Sequence, residues 1–181
     1  NGLAGRSPVL DTLIRFFMND YWATTMLVLL PFGLWFSGNS DAEREHNQKG
    51  VLSTVTALVM ANLVVKVINL LYWRWRPFTF HDVTLLFYHP SDSAFPSNAA
   101  TVGAGIAVSV LLFSRKTGLA LLLIAFLFSV SRIVGGVHYP TDILGGWIIG
   151  GTFAWLVQRQ GAVGSAAVQR LARRAAQGDQ G

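Results

Sequence analysis

A chain of 181 residues that is 52% hydrophobic and only 13% charged has the composition of a membrane protein, and its length fits one domain. The formal net charge of +5 does not mark a nucleic-acid binder, because the basic residues neither gather on one amphipathic face nor alternate with polar loops. The complete lack of cysteine excludes disulfides and thiolate chemistry.

Five apolar runs, roughly residues 21–37, 51–73, 98–114, 117–135 and 142–158, come close to the about 17–25 residues a helix needs to cross a bilayer core. The expected fold is therefore all-α: a polytopic transmembrane bundle of about five spans, preceded by a short helix. No signal peptide precedes the runs, and a first residue of Asn rather than Met is what a trimmed chain would show.

The short helix opens at Ser7-Pro8, where a capping hydroxyl is followed by a proline that needs no donor. Leu10, Leu13, Ile14 and Phe17 then recur at helical spacing. Two placements are open to it, flat on the outer membrane surface or packed against the bundle. The first span contains Pro31 and ends at Gly38-Asn39-Ser40, and the charged run Asp41 to Lys49 reads most simply as a solvated loop.

The second span carries Asn62, Lys66 and Asn69, an unusual polar load for lipid. It is expected to stop at Arg76-Pro77, where proline blocks a helix. A long loop follows, with His81, Asp82, His89 and Asp92, and aromatics from Trp73 to Tyr88 crowd its entrance as in an interfacial belt. The third span starts after Pro96-Ser97. The fourth runs into Ser131-Arg132 and breaks at Gly135-Gly136, and Thr141 caps the fifth. Residues 1–158 form the membrane domain in this reading, and 159–181 a basic cytoplasmic tail.

If the spans alternate, Arg44, Lys49, Arg115, Lys116, Arg159, Arg170, Arg173 and Arg174 share one side, eight of the fourteen basic residues. The positive-inside tendency makes that side cytoplasmic. The loop containing residues 78–96 then faces the periplasm or exterior.

Three separated segments reach this outward level: Arg76-Pro77, Pro96-Ser97-Asn98, and Ser131-Arg132 with His138. Two arginines, a hydroxyl and a helix N-terminus together form an anion site, and planar guanidinium groups match phosphate oxygens. Phosphoryl transfer needs chiefly positioning and charge stabilisation, so the cluster suits it. His138 and Asp142 lie four residues apart across a turn. A carboxylate there can hold one imidazole nitrogen and leave the other free as a nucleophile. Taken singly, each has a plainer reading: an interfacial histidine, a helix N-terminal charge and a snorkelling arginine.

Together they resemble a known family. Ser131-Arg132-Ile133-Val134-Gly135-Gly136-Val137-His138-Tyr139-Pro140-Thr141-Asp142 is similar to the S-R-x5-H-x3-D motif of the type 2 phosphatidic acid phosphatase superfamily. Phe95-Pro96-Ser97-Asn98 resembles the start of that family's P-S-x-H motif, and Arg76-Pro77 the end of its K-x6-R-P motif, so the likeness spans roughly residues 20–158. The Arg-Pro-Phe and Ser-Asp-Ser-Ala-Phe-Pro-Ser runs at 76–78 and 91–97 are similar to the bacterial branch acting on undecaprenyl diphosphate.

The resemblance implies that His138 attacks phosphorus to form a phosphohistidine, that Asp142 orients it, and that Arg132, Arg76, Ser97 and main-chain donors near Asn98 bind the phosphate. It implies no metal and no cofactor; the partners are a lipid phosphate or diphosphate and membrane lipids. The implied location is the bacterial inner membrane. Two positions depart from the pattern. Asn69 stands where the family has lysine, with Lys66 one turn earlier as a possible substitute, and Ala99 stands where the family has the histidine that protonates the leaving group. The intact remainder of the site favours a single introduced replacement at 99 over a naturally drifted relative. Two other classes compete with the enzyme: a silent binder of phospholipid headgroups, which Ala99 supports, and a transporter. The one-sided clustering of the site residues counts against the transporter. A phosphatase for phosphatidic acid or phosphatidylglycerophosphate is a further alternative within the enzyme class.

Overall fold

Each apolar run becomes a helix in the computed structural model, which describes the backbone of residues 2–178 and the side chains of residues 2–161. The helices are α1 (Pro8–Met18), α2 (Asp20–Phe36), α3 (Asp41–Leu71), a single turn α4 (Pro77–Phe80), α5 (Asn98–Phe113), α6 (Arg115–Val134) and α7 (Pro140–Gly178). Among the described residues there is no strand. By length and apolarity, α3 and α6 are each able to cross a membrane, and α5 is a shorter apolar helix. The Arg170, Arg173 and Arg174 side chains of the expected tail lie outside the described residues.

The central helix is α5, packed against α2, α3, α6 and α7. Its small residues explain the position: Ala100, Gly103, Ala104, Gly105 and Ala107 are all buried and let neighbouring backbones approach. The closest approach is to α7, where a Cβ on Gly146 would lie 2.6 Å from the Ser97 carbonyl oxygen and one on Gly150 2.2 Å from that of Thr101. Any side chain at either glycine would push α7 away from the start of α5. Around this centre the outer faces are apolar and exposed, with Val28 and Phe32 on α2, Val55, Val59 and Leu63 on α3, Leu119, Leu123 and Phe126 on α6, and Leu144 and Ile148 on α7. Such a belt is at home in lipid and not in water.

Of the two placements open to it, α1 takes the one packed against the bundle. Ile14 and Met18 are buried against Val137 and Leu86, while Val9, Leu13 and Phe16 on its other side are exposed.

The charged run Asp41 to Lys49 is helical rather than a loop. Ser40 accepts the Glu43 N–H at 3.2 Å, the Glu43 carboxylate accepts the Asn39 N–H at 2.9 Å, and Glu45 pairs with Lys49 at 2.6 Å. Reciprocal capping and an i,i+4 pair carry the helix into water. At its other end α3 stops at Leu71, earlier than Arg76-Pro77. The extended segment that follows pairs with residues 93–94: the Ala94 N–H donates to the Arg74 carbonyl at 2.9 Å, and the Arg74 N–H to the Ser93 hydroxyl at 3.2 Å. Extending residues 72–76 turns both Arg74 and Arg76 toward the end of the bundle.

Candidate active site

Four helix ends meet at one level: the end of α3 with its extension, the starts of α5 and α7, and the end of α6. A backbone bond from the Ser97 N–H to the Asp142 carbonyl, 3.0 Å, ties the starts of α5 and α7 together. The α6–α7 turn passes through Gly136 at φ +82°, a left-handed conformation that glycine adopts without strain. This turn sends His138 back into the protein. Arg76, Ser97, Arg132, His138 and Asp142 are all buried.

His138 Nδ1 lies 3.0 Å from the Ala94 carbonyl oxygen. A carbonyl only accepts, so Nδ1 carries the proton and Nε2 keeps its lone pair. Nε2 lies 3.2 Å from Arg76 Nη1 and 3.3 Å from the Ser97 hydroxyl. Burial pushes the imidazole below its usual pKa; the Asp142 carboxylate opposes this, and the charges of Arg76 and Arg132 add to it. A neutral ring with an outward lone pair beside a guanidinium is the form a nucleophile requires.

The placement of Asp142 refines the sequence reading. Its Oδ2 is 3.6 Å from His138 Nδ1, beyond hydrogen-bond length, and instead accepts the Tyr139 N–H at 2.8 Å. Its Oδ1 accepts from Arg74 Nη1 at 2.7 Å. Arg74 also donates to the Thr141 hydroxyl at 2.8 Å and stacks 4.5 Å over the Tyr139 ring. Asp142 thus fixes the turn that carries His138, and the carbonyl of Ala94 fixes the tautomer. Sequence reasoning passed over Arg74. A fully buried carboxylate needs a cation, so an arginine two residues before Arg76 was a readable candidate.

The two arginines that line the cavity are held differently. Arg76 donates to the Val137 carbonyl at 3.0 Å, the Asp92 carbonyl at 3.2 Å and the Asp92 carboxylate at 2.7 Å. Arg132 lies between the Phe87 and Phe128 rings, 4.8 and 4.9 Å from their centroids, and pairs with the Asp20 carboxylate. Its Nε is buried with no hydrogen-bond partner. Both guanidinium groups border an open cavity of about 310 Å³ that is also lined by His138, Asn98, Ala99, Asp20 and Asp92. Asp92 is well exposed and Asp20 partly so, so an incoming anion can displace either from its arginine.

Other expected residues lie elsewhere. Lys66 is exposed on α3 and Asn69 is half-buried there, and neither lines the cavity. The α3 register that turns Val65 into the core turns Lys66 out of it. Ser97 is buried next to His138 rather than in the cavity lining, while Asn98 is in that lining. His81 and His89 also stay outside it, their rings against Tyr139 and Phe78. Among the described residues, no group of three or more His, Cys, Asp or Glu side chains is arranged to hold a metal.

One family model, the PAP2 superfamily, matches residues 50–163. The chain belongs to the PAP2 superfamily. Undecaprenyl-diphosphatase BcrC of Bacillus subtilis is 33% identical over 149 residues, which cover 82% of this chain and 74% of the relative. Among solved structures, the transmembrane PAP2 type phosphatidylglycerolphosphate phosphatase from Bacillus subtilis superposes with a TM-score of 0.59 at 26% identity, covering 85% of this chain and 77% of that one. LpxE of Aquifex aeolicus superposes with a TM-score of 0.65 at 24% identity, covering 86% of this chain and 88% of that one, and so is alike in fold. By family the chain is a PAP2 lipid phosphatase, a hydrolase associated with membranes.

Proposed function

We propose that the protein hydrolyses a lipid diphosphate, undecaprenyl diphosphate to undecaprenyl phosphate, through a phosphohistidine on His138. The observation that carries this reading is the unprotonated Nε2 of His138 beside Arg76 and Ser97, with His138 and Arg132 lining the same cavity. In the first step Nε2 attacks the terminal phosphorus and the bridging P–O bond breaks. Arg76, Arg132 and Ser97 stabilise the equatorial oxygens. Asp142 with Arg74 holds the turn, and water then releases phosphate from His138.

Ala99 favours a diphosphate over a monoester. The departing group of a diphosphate is a lipid monophosphate, whose last pKa is about 6, and it leaves without a strong acid. A monoester expels an alkoxide, whose conjugate acid is about as weak an acid as water. The similarity to the Bacillus subtilis undecaprenyl-diphosphatase supports the same substrate.

The accompanying topology has five spans, α2, α3, α5, α6 and the first part of α7. The cavity faces the periplasm or exterior of a bacterial inner membrane, residues 1–158 form the membrane domain, and residues 159–181 form a basic cytoplasmic tail. At about 1.5 Å per residue, the 17 residues of α2 reach most of the way across a hydrocarbon core of about 30 Å.

The test is phosphate release from matched polyprenyl diphosphate and monophosphate in detergent. Faster release from the diphosphate is expected. Binding of both lipids without release from either would favour the second reading that Ala99 supports, a silent headgroup binder. A cysteine placed near Asn98 tests the orientation, because labelling only from the cytoplasmic side contradicts it.

A further inference from the structure

Position 99 borders the cavity with a methyl group, which transfers no proton, yet cleaving an ester and then hydrolysing a phosphohistidine each require a proton to move. Three titratable side chains besides His138 and the arginines line that cavity: Asp20, Tyr88 and Asp92. Their positions differ. Asp20, Thr24 and Leu27 form one face of α2 along the cavity. Ala99 packs against the core cluster that contains Ala23 and Leu27 of the same helix. Asp20 and position 99 therefore border the same cavity, Asp20 from α2. Asp92 stands in the loop before α5, against Arg76.

We infer that Asp20 is the proton donor and acceptor of this chain, acting from α2 in the space beside Ala99; this rests on the reading of His138 as nucleophile given above. Without substrate, Asp20 is a carboxylate paired with Arg132. The substrate phosphate takes Arg132 for itself, which strips Asp20 of its cation and sets it beside a like charge. Asp20 enters the reaction as the carboxylic acid. As Nε2 of His138 bonds to phosphorus and the P–O bond to the leaving group breaks, the Asp20 carboxyl proton passes to the departing oxygen and Asp20 becomes a carboxylate. In the second step that carboxylate takes a proton from water as the water oxygen bonds to phosphorus and the P–Nε2 bond breaks. Phosphate, neutral His138 and protonated Asp20 result, so the proton count closes over the cycle. One group serves as acid and then as base, as microscopic reversibility requires.

The experiment measures turnover by the full chain and by Asp20→Asn and Asp20→Glu on phosphate monoesters of increasing leaving-group basicity, from nitrophenyl through phenyl to alkyl. Orthovanadate binding is measured on each protein as a check on the phosphate site. A missing acid costs about 10²-fold or more when the leaving group is poor and little when it is good. Asp20→Asn is therefore expected to lose about 10²-fold on the alkyl ester and less than about threefold on the nitrophenyl ester, with Asp20→Glu restoring part of the alkyl activity. In an Ala99→His background the same Asp20→Asn change should lose its dependence on the leaving group. An equal fractional loss on every ester would show that Asp20 only holds Arg132, and would overturn the inference. So would intact vanadate binding by the full chain with no turnover of the alkyl ester. Absence of both vanadate binding and turnover would instead overturn the underlying reading of the site.

Discussion

Buried polar groups sit at both ends of this helical bundle, but they are used in opposite ways. Away from the cavity, Thr54 of α3, Ser109 of α5 and Gln158 of α7 close a network among themselves. The Thr54 and Ser109 hydroxyls are 2.8 Å apart, and Gln158 Nε2 donates to the Ser109 hydroxyl at 2.9 Å and to the Gly50 carbonyl at 3.0 Å. At the cavity end some polar groups lack fixed partners. Arg132 Nε has none, and two of the carboxylates that pair with arginines there, Asp20 and Asp92, are exposed enough to be exchanged. A closed network holds helices in register, and an open one is ready for a ligand. In a membrane bundle, then, incomplete satisfaction around a cavity marks function better than polarity does.

The comparison breaks first at Arg132. Arg132→Ala is expected to lower kcat/KM by about 10²–10³-fold, the size of a lost transition-state charge contact, and to weaken vanadate binding while leaving thermal stability close to unchanged. Loss of fold instead of affinity would place Arg132 with the structural network. Next is Ala99→His placed in the Asp20→Asn background, which should raise monoester turnover by about 10²-fold, the lower end of what a general acid contributes, and diphosphate turnover by much less. Equal gains on the two substrates would mean that position 99 acts through binding geometry alone. The smallest effect is expected at the other end. Gln158→Ala should cost about 1 kcal/mol of stability, visible as a lower midpoint of thermal unfolding, with kcat within about twofold of the parent.

The legibility of the sequence follows the same division. Apolar runs bounded by Gly, Pro and Ser reported the helices because lipid demands continuous apolar length, and the spacing of Arg132, His138 and Asp142 is local enough to survive folding. What stayed hidden depends on tertiary placement. Asp20 lies more than a hundred residues from its partner Arg132, so no local pattern joins them. Arg74 was screened by Arg76, whose proline drew attention to itself. Lys66 read as a stand-in for a motif lysine because helical spacing alone does not say which face of α3 is turned to the core. The Asp41–Lys49 run reads as a loop by its many charges, although Ser40 and Glu43 carry the spacing of a capping pair.

The measurement closest to the central claim is recovery of the covalent intermediate. The protein would be mixed with polyprenyl diphosphate labelled at the terminal phosphate, quenched within the first turnover under alkaline conditions that preserve a phosphoramidate, and mapped by peptide. The account predicts acid-labile label on the peptide containing His138, and its loss in His138→Ala. Label on any other side chain, or turnover that persists at the parent rate in His138→Ala, would contradict it.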